Sequence, residues 1–384
     1  MTTQIYSSFL DAYLPENAPM DHDDLFREMA SRPNEDAALM SALRALSLAA
    51  VGGSRKDELV VRQAGLEYGR ALNLPAKAMD RPNFKPTDET LATTTVLAQC
   101  EFYNGISATG GWQKHLQGMH GMLAMGGPQN IQSRLALMLC SNSRHGALAA
   151  HLQSRRAALL GDKAWRRVLL RAPVIDETAT FYNHALKVPG LLERKDNLDL
   201  QSPTIVTEIE ELLDDLFEQE LSLRTWFETW TYRDQLTKEK YYERRPIDDF
   251  ATFAALVTDR TFAEALWFPN FPFAYLASQY WATLHRLLED KLDLYRLLLQ
   301  IDLAWQPPAD IPTIESELIT LADSLCMCIP YFCEPVCSLV GQVGIFLPMG
   351  VCMPYFARTQ AWEKASWLLS MRRSVFVKGM IPPN

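Results

Sequence analysis

The chain has 384 residues, of which 48% are hydrophobic and 22% charged, and its 37 basic and 46 acidic side chains give a formal net charge of −9. This composition is typical of a globular protein, and the acidic balance argues against a protein that binds nucleic acid through its overall charge. The length is compatible with two or three domains or with one large helical domain.

The N-terminal segment carries acidic residues at Asp11 and Glu16 and no basic residue before Arg27. Because the charged start of a signal peptide is missing, we expect an intracellular protein, in the nucleus or the cytoplasm. Its seven cysteines should then remain free thiols. Four prolines and three glycines interrupt the apolar segment 325–356, so we interpret it as buried core and predict no membrane association.

Helical periodicity dominates the first half of the chain. Residues 35–51 place apolar side chains on one stripe, and Gly52 with the glycine after it is expected to end this helix. A second helix is predicted over 56–72, with Ser54 and Asp57 at the spacing of a capping box. Together the two helices form a predicted helical hairpin.

Three further helices are predicted before the middle of the chain. The first covers 87–103, the second runs from Trp112 to a Gly-Gly-Pro stop at 126–128, and the third covers about 131–152.

The second half also reads as helical. Ser202 with Pro203 is predicted to open an amphipathic helix over about 203–221, and another long helix is predicted over 273–300. No segment shows convincing strand alternation. We therefore predict an all-α protein, an irregular helical bundle or superhelix with short connections.

Metal-binding patterns are weak. Cys326, Cys328, Cys333 and Cys337 do not form the paired CxxC units of a common zinc site, and they are interpreted as buried thiols. His115 and the histidine five residues later lack the spacing and the glutamate of an HExxH helix. We predict no metal and no cofactor.

Common catalytic signatures are missing as well. The sequence contains no phosphate-binding loop, dinucleotide fingerprint or GxSxG elbow, so conventional kinases, dehydrogenases and hydrolases of these types are not favoured. Catalysts that depend on shape and a few hydrogen bonds leave no such signature and stay open.

Two compositional blocks allow more than one interpretation. Residues 144–171 hold seven basic side chains and one acid, whereas 196–220 hold nine acids and no Lys or Arg. We expect the basic block to be solvated or paired with the acidic one, the alternative being a nucleic-acid patch. The aromatic-rich stretch 267–281 is typical of core packing or of the wall of an apolar ligand cavity.

Four segments follow one another in an informative order. They are the hairpin over 38–73, WQKHLQGMHGMLAMGGP at 112–128, the stretch 144–165 and CIPYFCEPV at 328–336. Each is a helix-packing pattern, and in this order they resemble the C-terminal regulatory region of fungal transcription factors of the binuclear zinc cluster type.

The resemblance implies a single all-α regulatory domain over residues 1–384. It also implies signal reception through a small apolar ligand or a partner protein. Family members bind DNA through an N-terminal cysteine-rich zinc cluster, whereas the first cysteine here is Cys100. Direct DNA binding is therefore not expected.

The first hypothesis is a transcription-regulator-like protein without its own DNA-binding module, acting in fungal specialised metabolism. The acidic amphipathic helix over 207–221 would present a partner-binding surface, and an oligomer is compatible with the sequence. The predicted ligand contacts are aromatic side chains: Trp112, Tyr275, Tyr280, Trp281 and Tyr331.

The alternative is a cofactor-independent enzyme on the same scaffold. It would be an isomerase, a cyclase or a cycloaddition catalyst that orients an apolar polyketide or terpenoid intermediate and offers one hydrogen-bond donor. The candidates for that donor are His115, Tyr103, His145 and Tyr331. A third interpretation is a truncated gene product that lacks an upstream exon.

Overall fold

The protein is helical along most of its described length, which confirms the all-α prediction. The computed structural model describes residues 10, 20–31, 36–79, 84–103, 111–171, 177–234, 236, 239–302, 305–306, 311–338 and 340–376. In chain order the helices are α1 (Met20–Ser31), α2 (Ala37–Arg55), α3 (Glu58–Met79), α4 (Asp88–Cys100), α5 (Gly111–Gly126), α6 (Arg134–Ser154), α7 (Lys163–Leu169), α8 (Glu177–Ala185), α9 (Val188–Asp196), α10 (Ile205–Thr231), α11 (Ala251–Leu256), α12 (Phe271–Ile301), α13 (Ile311–Phe332), α14 (Gly341–Gly344), α15 (Phe346–Arg358) and α16 (Trp362–Val375).

The predicted helix start near Thr87 and the predicted stop at 126–128 are confirmed. The hydroxyl groups of Thr87 and Ser133 accept backbone N–H groups at the starts of α4 and α6, at 3.2 Å and 2.9 Å. At the end of α5, Gly127 has a φ of 75° and precedes Pro128, as a glycine stop requires.

The predicted end of α2 at Gly52 is wrong. The helix continues through this glycine to Arg55, and Lys56 follows in the left-handed conformation with a φ of 54°. A Cβ atom on Gly52 would lie 2.9 Å from the backbone nitrogen of Val61 in α3. The glycine therefore allows the two helices of the hairpin to approach closely, and it does not terminate the first of them.

Two predicted helix starts are also wrong. Asp57, and not Ser54, caps α3, because its carboxylate accepts the backbone N–H of Leu59 at 3.0 Å while Ser54 lies inside α2. The helix predicted to open at Pro203 begins two residues later, at Ile205.

Two small two-stranded antiparallel sheets were not predicted. They pair β1 (Tyr232–Asp234) with β2 (Glu239–Lys240), and β3 (Glu243–Pro246) with β4 (Glu264–Trp267). In β3 only Arg245 is even partly buried, so no alternation of apolar and polar residues marks it in the sequence. A strand of four residues is too short to show that period clearly.

The core forms one contiguous cluster from Leu25 in α1 to Val375 in α16. Its central element is α12, most of whose residues between Ala274 and Leu298 are buried. It packs against α10, α13 and α15. A helix buried on most sides needs neighbours on most sides, and these three helices supply them.

Helix α2 is long and apolar enough to cross a membrane when judged by length and composition alone. However, 61% of its most apolar 18-residue window is buried inside the protein, where it packs against α3 and α4. A core helix of this kind has the same composition as a membrane span.

The expected pairing of the basic and acidic blocks is found at one point. Arg155 donates to Asp196 at 2.7 Å and 2.8 Å, and it also reaches the buried Asp290 of α12 at 2.8 Å. Within the acidic helix α10, Asp215 pairs with Arg194, which lies outside the basic block. The Arg155 contacts join the end of α6 to α9 and α12.

Candidate functional site

A cavity of about 380 Å³ lies among α4, α5, α6 and α12, and residues of α14 and α15 complete its wall. Its lining is mostly apolar, with side chains such as Phe102, Leu116, Met119, Met138 and Phe346. This volume and this lining are those of a site for a small organic molecule.

The cavity extends along two helices. Its lining residues run from Arg134 to Gln153 on α6 and from Phe271 to Arg286 on α12. At 1.5 Å per residue these spans measure roughly 28 Å and 22 Å. The wall is therefore elongated.

Four of the predicted site residues line the cavity, namely Trp112, His115, His145 and Tyr275. The rings of His145 and Tyr275 lie 5.4 Å apart. Trp112 packs on α6 next to His145, because its ring is 3.8 Å from the position that a Cβ atom on Gly146 would take. Residues predicted from distant parts of the sequence thus meet around one turn of α6.

The other predicted residues lie outside the cavity wall. Tyr280 and Trp281 belong to a buried aromatic cluster, in which Tyr280 stacks on Phe227 with ring centroids 3.8 Å apart. Tyr331 is buried against other aromatic side chains, and Tyr103 is buried at the end of α4. In this structure these four side chains contribute to packing.

A buried tyrosine holds His145. The Tyr182 hydroxyl lies 2.5 Å from His145 Nδ1, and the guanidinium of Arg144 lies 5.3 Å from the centre of the Tyr182 ring. Burial raises the pKa of Tyr182, so the phenol stays protonated and donates to Nδ1. We therefore assign the proton of a neutral His145 to Nε2, which makes its other nitrogen a donor.

A second tyrosine holds His115 at the same cavity. The Tyr68 hydroxyl donates to the buried carboxylate of Glu101 and lies 2.9 Å from His115 Nε2. Tyr68 has one hydroxyl hydrogen, and it is used in the hydrogen bond to the Glu101 carboxylate. His115 Nε2–H must therefore donate to the Tyr68 oxygen. This leaves Nδ1 of a neutral His115 as an acceptor, the opposite of His145.

Sequence reasoning missed the residues behind these two histidines. Tyr68 and Tyr182 lie 47 and 37 residues away from the histidines that they contact, each on a different helix. Since no local spacing joins such positions, nothing in the sequence alone marks them.

Metal ligands do not cluster in the described part of the chain. Within it, no group of three or more His, Cys, Asp or Glu side chains is placed to hold a metal ion. All seven cysteines are described and are free thiols. Burial raises the pKa of Cys326 and Cys328, so these thiols stay protonated near neutral pH.

Comparison of the chain with protein-family models, with curated proteins and with solved structures gives no match. Its class is defined by its own features, an all-α fold around an elongated apolar cavity that contains two tyrosine-bound histidines.

Proposed function

We propose that the protein is a transcription-regulator-like module that binds a small, mostly apolar molecule in its central cavity. The observation that carries the proposal is the apolar cavity of about 380 Å³. The helix with the clearest family resemblance supports it, because Trp112, His115, Leu116 and Met119 of that helix all line the cavity. The module would act in fungal specialised metabolism, without binding DNA directly.

Partner binding through the acidic helix has less support. The apolar stripe of α10, which includes Ile209, Leu212 and Leu216, is buried in the core. Phe217 and Leu221 on the same helix remain exposed, at 59% and 57%. The proposal therefore depends on ligand binding in the cavity. A partner protein would bind to another surface or to the exposed Phe217 and Leu221.

A cofactor-independent enzyme is the second candidate, and the two histidines favour it. A base such as His115 Nδ1 could take a proton from a carbon of the substrate while His145 Nε2–H donates a hydrogen bond to a substrate oxygen. Return of the same proton to another carbon completes an isomerisation with no change in oxidation state. This chemistry suits an apolar polyketide or terpenoid intermediate.

The two candidates are distinguished by filling the cavity in the living cell. Replacing the gene with a Gly146→Leu allele places a side chain beside Leu116 and Trp112, inside the cavity. If the protein is a ligand-binding regulator, transcripts of its co-expressed genes fall. If it is an enzyme, those transcripts hold steady while a precursor accumulates.

The matched control is Gly121→Leu on α5. Gly121 is exposed and lies outside the cavity wall, and a Cβ atom there would meet nothing beyond its own helix within 4 Å. This allele should behave as wild type. Unchanged transcripts and unchanged metabolites in a Gly146→Leu strain that makes folded protein would contradict both candidates.

A further inference from the structure

The cavity wall contains a buried amide whose carbonyl oxygen lacks a hydrogen-bond partner. Gln279 of α12 is 1% exposed and lines the cavity, and within the described residues no group donates to its Oε1 atom. Buried polar groups in folded proteins are nearly always paired, so an unpaired oxygen in a cavity wall is available to a donor from a bound molecule.

An indole N–H in the same cavity wall lacks a hydrogen-bond acceptor. Trp112 Nε1 is buried, and in the described part of the chain nothing accepts its hydrogen. Trp112 packs on Gly146, the neighbouring His145 contacts Tyr275, and Tyr275 lies one helical turn before Gln279. Both unpaired groups therefore belong to the cavity wall, Trp112 on α5 and Gln279 on α12.

Their chemistry restricts the polar part of a ligand. The Trp112 N–H needs an acceptor and the Gln279 carbonyl needs a donor, and a hydroxyl group is both. A hydrocarbon would leave both groups unpaired, and a carboxylate, which only accepts, would leave Gln279 unpaired. We infer that the cavity takes a neutral, mostly apolar alcohol whose hydroxyl donates to Gln279 or accepts from Trp112, an inference that rests on the proposed ligand site.

The test uses a pair of probes that differ in one group. 2-Naphthol and 2-methylnaphthalene have almost the same shape, but only the first has a hydroxyl. Calorimetric titration of the full chain should give about three- to tenfold tighter binding of 2-naphthol, the usual effect of one net hydrogen bond.

Two variants then remove one partner each. The preference is the ratio of the two affinities, and it should shrink in at least one of Gln279→Leu and Trp112→Phe. Because both probes make the same ring contacts, this ratio removes the effect of the lost indole on apolar packing. Gln219→Leu is the matched control, since Gln219 is a buried glutamine on α10 with an unpaired amide nitrogen, outside the cavity wall. It should leave both affinities unchanged.

Failure of this inference is distinct from failure of the ligand site itself. If the two probes bind equally well and Gly146→Leu abolishes that binding, the ligand site stands and the role of the hydroxyl is overturned. The same conclusion follows if the preference for 2-naphthol persists in both Gln279→Leu and Trp112→Phe while these variants fold. Binding of neither probe, or binding that Gly146→Leu does not reduce, overturns both.

Discussion

At the scale of single residues, burial controls the charge state of two histidines. His120 of α5 stacks on His151 of α6 with ring centroids 6.0 Å apart. Burial, and then the charge of His151, lower the pKa of His120 from 6.5 to about 4. Burial likewise lowers the pKa of His151, despite the backbone carbonyl of Arg156 at its Nδ1. Both rings are neutral in the folded protein near pH 7.

The stability of the protein should therefore fall in mild acid. As the pH decreases from 6.5 to about 4, the unfolded chain binds a proton that folded His120 does not, which favours unfolding. Relative to neutral pH, His120 alone should remove roughly 2 kcal/mol of unfolding free energy by about pH 5. Urea unfolding at the two pH values measures the loss. In His120→Gln the loss should be smaller, and an identical pH dependence would show that His120 does not contribute.

A glycine at a close backbone contact gives a second residue-level prediction. A Cβ atom on Gly161 would lie 2.3 Å from the carbonyl oxygen of Leu186, so Gly161→Ala forces the backbone apart. We expect a loss of about 1–3 kcal/mol in unfolding free energy, measured by denaturant unfolding. Gly190→Ala is the control, because its Cβ atom would lie at an ordinary 3.7 Å from that of Ala157. Equal stability of the two variants would contradict the close contact.

At the scale of elements, a buried carboxylate joins α12 to α15. Glu289 is 4% exposed and receives the guanidinium groups of Arg286, at 2.9 Å, and of Arg358. Burial acts to raise its pKa, but His285, 3.6 Å away, and then the guanidinium charges of Arg286 and Arg358 lower the pKa to about 2. The pKa of His285 itself is lowered by burial, against the opposing effect of Glu289.

Removing this charge should weaken the helix contact. Glu289→Gln leaves two arginines without their carboxylate, and we expect a loss of about 1–3 kcal/mol in unfolding free energy. The matched control is Glu315→Gln, which removes the exposed ion pair with Arg296 and should change stability by less than about 0.5 kcal/mol. Chemical denaturation of both variants tests this, and a similar effect in each would argue against the buried pair.

Helix signals were predictable from the sequence where they are local. The cap at Thr87, where a helix start was predicted, depends on a hydroxyl and a backbone N–H within three residues. The cap at Ser133 is of the same kind but was not predicted. The end of α2 depends on how closely Gly52 approaches Val61 in the next helix, which no local pattern records. The β3–β4 pairing escaped prediction because its strands are short and β3 is mostly exposed.

The candidate site was predictable only in part. Trp112, His115, His145 and Tyr275 were named from aromatic content and resemblance, and they do line the cavity. Their partners Tyr68 and Tyr182 come from α3 and α8, whereas the unpaired Gln279 follows Tyr275 on α12. Which face of each helix meets the cavity is set by packing across the molecule.

At the scale of the whole molecule, the single contiguous core implies cooperative unfolding. We expect one transition, with coincident curves from far-UV circular dichroism and tryptophan fluorescence. Gly161→Ala, between α6 and α7, and Gly344→Ala, whose Cβ would lie 2.9 Å from the Phe332 ring, should each lower the same midpoint. Two separate transitions, with each variant affecting only one, would show that the chain folds as independent units.

Arg286 belongs both to the cavity wall and to the contact between α12 and α15. Its guanidinium bonds Glu289 at 2.9 Å and the Gly350 carbonyl of α15 at 3.1 Å. We expect a ligand that reaches Arg286 to compete for this group. Occupancy of the cavity and the position of α15 would then be linked, each changing the equilibrium of the other by the same factor. Hydrogen exchange of the α15 amides with and without 2-naphthol would detect this coupling, and unchanged rates at saturation would exclude it. The C-terminal helices would then take different positions at the protein surface in the ligand-bound and ligand-free states.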